Sequence, residues 1–392
     1  MLQNNLFKVG VLGALVAILC LFSSMPVAAE TLKLGVIAPL SGPGAPWGQA
    51  MVQGPEMAIE DLEKRGGLTI NGKKVKVELI PYDDKYAGAE GSKAGSRLVS
   101  VDKVRFIIGS ISSPSVLAFL PITEKAKAIV LGNCFSPQAV NPKHPYYFRA
   151  YATSVEQAEA LCSYVVKKHK VTKVALIGPN DETGHSMTAA AVNEYKKLGV
   201  EIVYNEFYER TQKDFYPQIK NILDLKADLI DTSGSPSGTV GLIAKQAREM
   251  GYKGEIVAPA AIDAAITSSV AGPSAEGIYT AFGINLPDPK FNSFKERFKK
   301  KYGKEMTYMG ALAWYTAAFM IFDAVQKTQS MDTDVVKEAI ENMGEVETIY
   351  GKVFWGGMKT YGINHQLMQP IHVQIIRNGK ETNEASFPAP KM

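Results

Sequence analysis

The sequence predicts an α/β protein of two doubly wound lobes, each a parallel sheet covered by helices, and three observations carry that prediction. Apolar segments of strand length alternate with amphipathic segments of helix length along almost the whole chain. The alternation runs once to about Gly132 and starts again at Lys173, with the same order and similar element lengths. The chain of 392 residues also exceeds the size, roughly 250–300 residues, at which single cores stop growing.

The elements follow in order. Lys8 supplies a positive charge, Val9 to Phe22 is an almost unbroken apolar run, and Val27-Ala28-Ala29 places small residues before Glu30. That is the build of a secretory signal peptide, residues 1–29, cleaved near Ala29. The apolar run is short of the about 20 residues of a membrane span, so an uncleaved anchor is the lesser alternative. Lipidation at Cys20 is another, although the preceding Leu19 is not the small residue such a site ordinarily carries.

"LKLGVIAPL" reads as the first strand and "WGQAMVQGPEMAIEDLEKRGG" as a helix with Met51, Gly54, Ala58 and Leu62 on one face. "KVKVELIPYDD" alternates as a half-exposed strand does. A helix from about Gly88 to Val101, the strand "VRFIIG", a helix from Ser115 to Lys125 and the strand "AIVLG" complete the first series. The second series is "KVALIGPNDETG", a helix from Met187 to Leu198, "VEIVYNEFY", the helical "KDFYPQIKNILDLKA", the strand "DLIDTSG", the helix "GTVGLIAKQAREMG" and the strand "GEIVAP".

The remaining third makes no third copy. It reads as the strand "GIYTAFGI", the helix "FNSFKERFKKKYG", a long apolar helix from Tyr308 to about Lys327, the helix "DTDVVKEAIENMG", and the strands "YGKVFW" and "QPIHVQIIRNGK". These elements must cover lobes already built, so the chain crosses between lobes more than once. The predicted division is 30–150 with 281–353 for lobe 1, and 151–280 with 354–392 for lobe 2. Two such lobes leave a cleft at the carboxyl ends of their strands, where open α/β sheets bind ligands.

Composition narrows the function. Without Lys8 the chain carries 42 basic against 39 acidic residues, and no basic stripe stands out, which excludes nucleic acid as an expected partner. "YTAAFMIFDAV" is the most apolar later segment, but its length and Asp323 mark a core helix. Cys134 and Cys162 remain after cleavage. They show no zinc spacing, and both are expected to be free, at least one of them buried, although one disulfide is open to an exported protein. No metal or cofactor is expected.

The order of short motifs adds a resemblance. "GVIAPLSGPGAPWGQAMVQGPEMAIEDLEKRGGLTINGKKVKVELIPYDD", the "IGS…S" turn, "YYFR", "KDF" and "AEGIY" stand in the order found in type I periplasmic solute-binding proteins of the branched-chain amino acid class, and the chain resembles that family over nearly all of its mature length. The resemblance implies a type I periplasmic-binding-protein fold with three crossover segments and the ligand in the inter-lobe cleft. It also implies residence in the periplasm, action as a monomer, and delivery of a small carboxylate solute to an ABC transporter permease in the inner membrane.

"IIGSISSPSV" poses the chemical question. It is not G-x-S-x-G, because Ser113 stands where the second Gly belongs, so the sharp turn of a nucleophilic serine is missing. Of the five histidines, only His185 falls in a strand-end loop that faces the predicted cleft. Serine hydrolysis is therefore a minor alternative, and so is a sensor domain. No G-x-x-x-x-G-K-[ST] run exists to hold phosphate. Two readings of Ser112 and Ser113 stay open: their hydroxyls and the helix N-terminus hold a carboxylate, or they cap the helix. The resemblance favours the first.

Residue by residue, the resemblance also aligns Trp47 with an aromatic that covers the ligand, and Asn133, Cys134 and Phe135 with the lobe 1 wall. Trp47 packing at its helix start and Cys134 in the core are the competing readings. Arg149 aligns with a structural, hinge-proximal arginine. In lobe 2 the family's pattern is broken: Thr183 replaces a tyrosine, Ser235 an aromatic, and Ala260 the acid that holds an α-ammonium, with Asp263 three residues on. A buried ammonium needs a partner, here only Asp263, Asp181 or Glu182. The expected ligand is thus a branched-chain or other apolar amino acid, or else an aromatic or aliphatic carboxylate without an amine.

Overall fold

The computed structural model describes residues 30–259, 262–306 and 310–391. The predicted signal peptide, the start of the long helix at Tyr308 and the Ala260 position lie outside the described residues.

Among the described residues, nine strands form the first sheet. Their spatial order is Val346–Thr348, Gly351–Gly356, Gln366–Met368, Tyr147–Arg149, Ile129–Gly132, Phe106–Gly109, Glu30–Ala38, Lys73–Asp83 and Leu68–Ile70. Seven form the second: Lys380–Phe387, Ile371–Arg377, Tyr279–Phe282, Glu255–Ala258, Leu229–Asp231, Lys173–Pro179 and Glu201–Tyr208. In each sheet the first strand of a series lies between the second and the third, and these pairs are parallel. The duplication expected from element order is thus a duplication of topology.

The central strands are buried end to end, as in Phe106–Gly109, Ile129–Gly132 and Leu229–Asp231. That is the consequence of helices on both faces, and it explains their unbroken apolar sequence. The strands that alternate in sequence, Lys73–Asp83 and Glu201–Tyr208, lie toward the margins and are half exposed. Five strands had no counterpart in the sequence reading, namely Leu68–Ile70, Tyr147–Arg149, Val346–Thr348, Gln366–Met368 and Lys380–Phe387, and two of them form hairpins at Asn-Gly turns. Leu68–Ile70 turns back onto Lys73–Asp83 at Asn71-Gly72, and Lys380–Phe387 onto Ile371–Arg377 at Asn378-Gly379. All four turn residues have positive φ, the geometry that favours Asn-Gly in a two-residue hairpin.

The long apolar helix spans Gly310–Thr328 and packs along Ala45–Lys64. Gly54 makes the approach possible: a Cβ there would lie 2.2 Å from the carbonyl oxygen of Ala311.

The chain crosses three times between sheets, and two crossings differ from the expected division. Tyr279–Phe282 lies wholly in the second sheet, so the middle crossing follows Phe282 rather than Thr280. Gly351–Gly356 and Gln366–Met368 both pair in the first sheet, so the expected boundary at 353/354 is corrected to the Gln369-Pro370 link. Pro370 has no N–H to donate, and the chain changes sheets there. Arg149 sits at the first crossing with no exposed side-chain surface. Its guanidinium bonds Gln366 Oε1, the Cys134 carbonyl at 3.2 Å and Glu156 Oε1 at 3.4 Å, and lies over the Tyr361 ring.

Candidate ligand-binding cleft

Both sheets direct the carboxyl ends of their parallel strands at a shared cavity with about 80 Å³ open to the centre of a water molecule. Its two halves are built alike. After the first strand of each series a helix begins so close to the strand's end that only glycine fits. A Cβ on Gly48 would stand 1.9 Å from the Pro39 carbonyl oxygen, and one on Gly184 would stand 2.0 Å from that of Pro179. The preceding residues, Trp47 and Thr183, both line the cavity.

Six of the fifteen described lining residues are aromatic. Trp47, Tyr86, Phe135, Tyr151, Phe282 and Trp314 contribute rings, with Ile111 and Met187 between them. Asn133, Gln157 and Thr183 add polar groups, and none of the described lining residues is charged. Asn133 Oδ1 and Gln157 Oε1 are buried and have no hydrogen-bond partner among the described residues.

The halves meet at the rim. Tyr86 Oη donates to Thr183 Oγ1 at 3.1 Å, and the Ser113 N–H reaches the same oxygen at 3.3 Å. Ser136 Oγ donates to Glu182 Oε1 at 2.7 Å. Arg210, ion-paired with Asp181, lies 4.4 Å over the Tyr86 ring and approaches its hydroxyl. Burial pushes the Tyr86 phenol up to about 12, so at neutral pH it is a proton donor.

The other sequence candidates are engaged elsewhere. Ser112 Oγ accepts from Ser115 N at 3.4 Å, and Ser113 Oγ accepts from Phe135 N and Ser136 N at 3.1 and 3.2 Å. Both side chains are fully buried. Neither serine is among the residues that line the cavity: their hydroxyl oxygens accept from helix and loop backbone, the capping arrangement that was one of the two readings of the sequence. Cys134 is a wall-backing core residue whose N–H meets Tyr147 Oη at 2.9 Å, and burial raises its thiol to about 11. It and Cys162 are free and buried. Ser235 accepts from Tyr208 Oη at 2.8 Å. Asp263 caps the helix Ala264–Ala271 through Ile266 N at 2.9 Å. Asp181 caps Gly184 N while pairing with Arg210, and Glu182 serves Ser136 and Ser186. The three acids proposed to reach an ammonium are therefore occupied outside the cavity.

His185 rests on Phe207 and contacts Asn180 Oδ1 at 3.1 Å. His372 meets Ser386 at 2.8 Å as a cross-strand pair in the antiparallel end of the second sheet. Neither stands beside the serines of the cleft.

Sequence reading missed Tyr86, Tyr151, Gln157 and Trp314. Tyr86 and Tyr151 each follow a parallel strand, a position that marks them in retrospect. Trp314 lies on the long helix, whose apolar sequence looks the same on its core and cleft sides.

Comparison with known proteins places this geometry. The profile of the periplasmic binding protein family matches residues 31–381. The Leu/Ile/Val-binding protein of Escherichia coli (strain K12) is 24% identical over 340 residues, 85% of this chain and 89% of that protein. A leucine-binding protein of Thermotoga maritima MSB8 superposes with a TM-score of 0.81 at 23% identity, covering 91% of this chain and 99% of its own. An ABC-transporter solute-binding protein of R. palustris, crystallised with benzoate, superposes with a TM-score of 0.80 at 18% identity, covering 93% and 98%.

Proposed function

The chain belongs to the periplasmic binding protein family, and from that premise we propose that it is the solute-capturing component of an ABC importer whose ligand is a small aromatic carboxylate without an α-amine. It is exported, closes its two lobes over the solute, presents the closed form to a permease, and carries out no chemistry on what it binds.

One observation supports the solute class above the others: a cavity walled by six aromatic rings with no charged residue among its described lining. An ammonium placed there would be desolvated without a counter-charge, at a cost of several kcal/mol. A carboxylate has a seat. The Ser113 N–H, the Thr183 hydroxyl and the Tyr86 hydroxyl converge at the start of the helix Ser113–Lys125, whose positive dipole end adds to them. On binding, the carboxylate takes the place of Thr183 Oγ1 at the Ser113 N–H. The flat body then lies against Trp47, Phe135 and Trp314.

A second reading, an apolar α-amino acid, is favoured by the binding specificity named for the Escherichia coli relative. The two separate in a thermal-shift series of the purified mature protein, since a bound ligand raises Tm in step with its affinity. Benzoate and phenylpropanoate are expected to raise Tm, and leucine and phenylalanine to leave it unchanged. The reverse pattern would establish the amino-acid reading.

A further inference from the structure

We propose that the solute carries a hydroxyl group on its ring, donated to Gln157 Oε1, and that Gln157 selects for it. This rests on the reading of the cleft as a seat for an aromatic carboxylate.

Gln157 is 1% exposed and Asn133 8%, and both line the cavity. The orientation of the Gln157 amide is set by its own bond: Nε2 donates to the Ala152 carbonyl at 2.9 Å. Turning the amide over would set two carbonyl oxygens against each other, so the atom left over is an acceptor. That acceptor, Gln157 Oε1, is buried and has no partner among the described residues. A buried acceptor without a donor costs about 1–3 kcal/mol, and folded proteins retain few of them. Of the lining hydroxyls, Tyr86 Oη is spent on Thr183, and no described side chain donates to Gln157 Oε1. The missing donor therefore comes with the solute.

Its class follows from charge. Gln157 and Asn133 are neutral acceptors in a cavity without a described carboxylate. A neutral hydroxyl satisfies such an acceptor, whereas an ammonium would need a full counter-charge as well. Asn133 Oδ1, the second acceptor without a partner, suits a second hydroxyl. A ring without hydroxyls leaves both oxygens unpaired in the closed cleft, and a site built around a hydrogen-bonding group discriminates strongly against the analogue that lacks it.

The test is isothermal titration of the mature protein with benzoate, 3-hydroxybenzoate, 4-hydroxybenzoate, 3,4-dihydroxybenzoate and 4-aminomethylbenzoate, repeated with Gln157→Met and Asn133→Leu. At least one hydroxylated acid is expected to bind about tenfold or more tighter than benzoate, and the ratio is expected to fall toward one in Gln157→Met. Each protein supplies its own benzoate reference, so a general loss of affinity in a variant does not alter the ratio. If Gln157→Met does not fold, the wild-type ratio and Asn133→Leu carry the test. Equal affinity for benzoate and every hydroxybenzoate, or a preference unchanged by Gln157→Met, would overturn the inference while leaving the aromatic-carboxylate reading intact. Tightest binding of the aminomethyl acid would replace the hydroxyl by an amine. Absence of binding by all five acids would sink that underlying reading, and the inference with it.

Discussion

Asp231 shows how one buried residue contributes to the protein's response to pH. It ends the third strand of the second sheet, fully buried, and accepts from Tyr195 Oη at 2.8 Å, Ser233 N at 2.9 Å and Ser233 Oγ at 2.6 Å. Desolvation outweighs these donors and pushes its carboxyl up to about 6. The unfolded chain releases this proton near pH 3.9. Between about pH 4 and pH 6 the folded state thus holds more protons than the unfolded one, and stability falls as pH rises through that window. The contribution is complete below pH 4, lost above pH 6, and of order 3 kcal/mol. Asp231→Asn is expected to match the wild type near pH 4 and to exceed it by roughly that amount at pH 7, in urea unfolding at both values. Parallel stability–pH curves for the two proteins would refute this. At the same scale, Trp47, Asn133, Phe135 and Thr183, which line the cavity, were singled out through the family resemblance, since spacing alone does not mark them. The backbone partners of Ser112 and Ser113 could not be read in the sequence, which displays donors and acceptors without showing which groups they meet.

Among the elements, the contact between Ala45–Lys64 and Gly310–Thr328 links stability to the site. Gly54 lets the helices meet at the turn that carries Gly310, Ala313 and Trp314 into the cavity. Gly54→Ala places a methyl group 2.2 Å from the Ala311 oxygen, and the partner is backbone that cannot swing aside. Its expected cost is about 1–3 kcal/mol, with weaker solute binding as Trp314 is displaced. Thermal denaturation and titration on the same preparation measure both, and a variant as stable as wild type would show that the helices separate freely. Strand–helix alternation was readable throughout because the periods of 2 and 3.6 differ so clearly. The two Asn-Gly turns were equally readable and went unused. Their strands are short or polar and lie at sheet margins, so no apolar run flagged them. The crossings were harder, because "GIYTAFGI" and "QPIHVQIIRNGK" read the same whichever sheet they join.

For the molecule as a whole, the bonds across the rim hold the lobes together. Ser136–Glu182, Tyr86–Thr183 and Ser113–Thr183 each join one half to the other. An equilibrium between open and closed forms responds to a ligand only through its differential affinity for them. Removing the Ser136–Glu182 bond, whose residues do not line the cavity, is expected to shift that equilibrium toward the open form and to leave the wall untouched. Glu182→Gln, which keeps the shape but weakens a charge-assisted bond, is expected to enlarge the radius of gyration of the unliganded protein in small-angle scattering. Saturating solute should restore the wild-type value. An unchanged profile without ligand would mean that the rim bonds do not govern closure.

The Arg149 cluster gives this motion its mechanical centre. One guanidinium ties Gln366, Glu156 and the Cys134 carbonyl, groups drawn from the first and last crossings and from the cleft wall. A rotating body moves least at its bearing and most at its free edge. The amides around Arg149 should therefore exchange hydrogen slowly whether the jaws stand apart or shut, while those near Trp47 and Thr183 speed up and slow down with the solute.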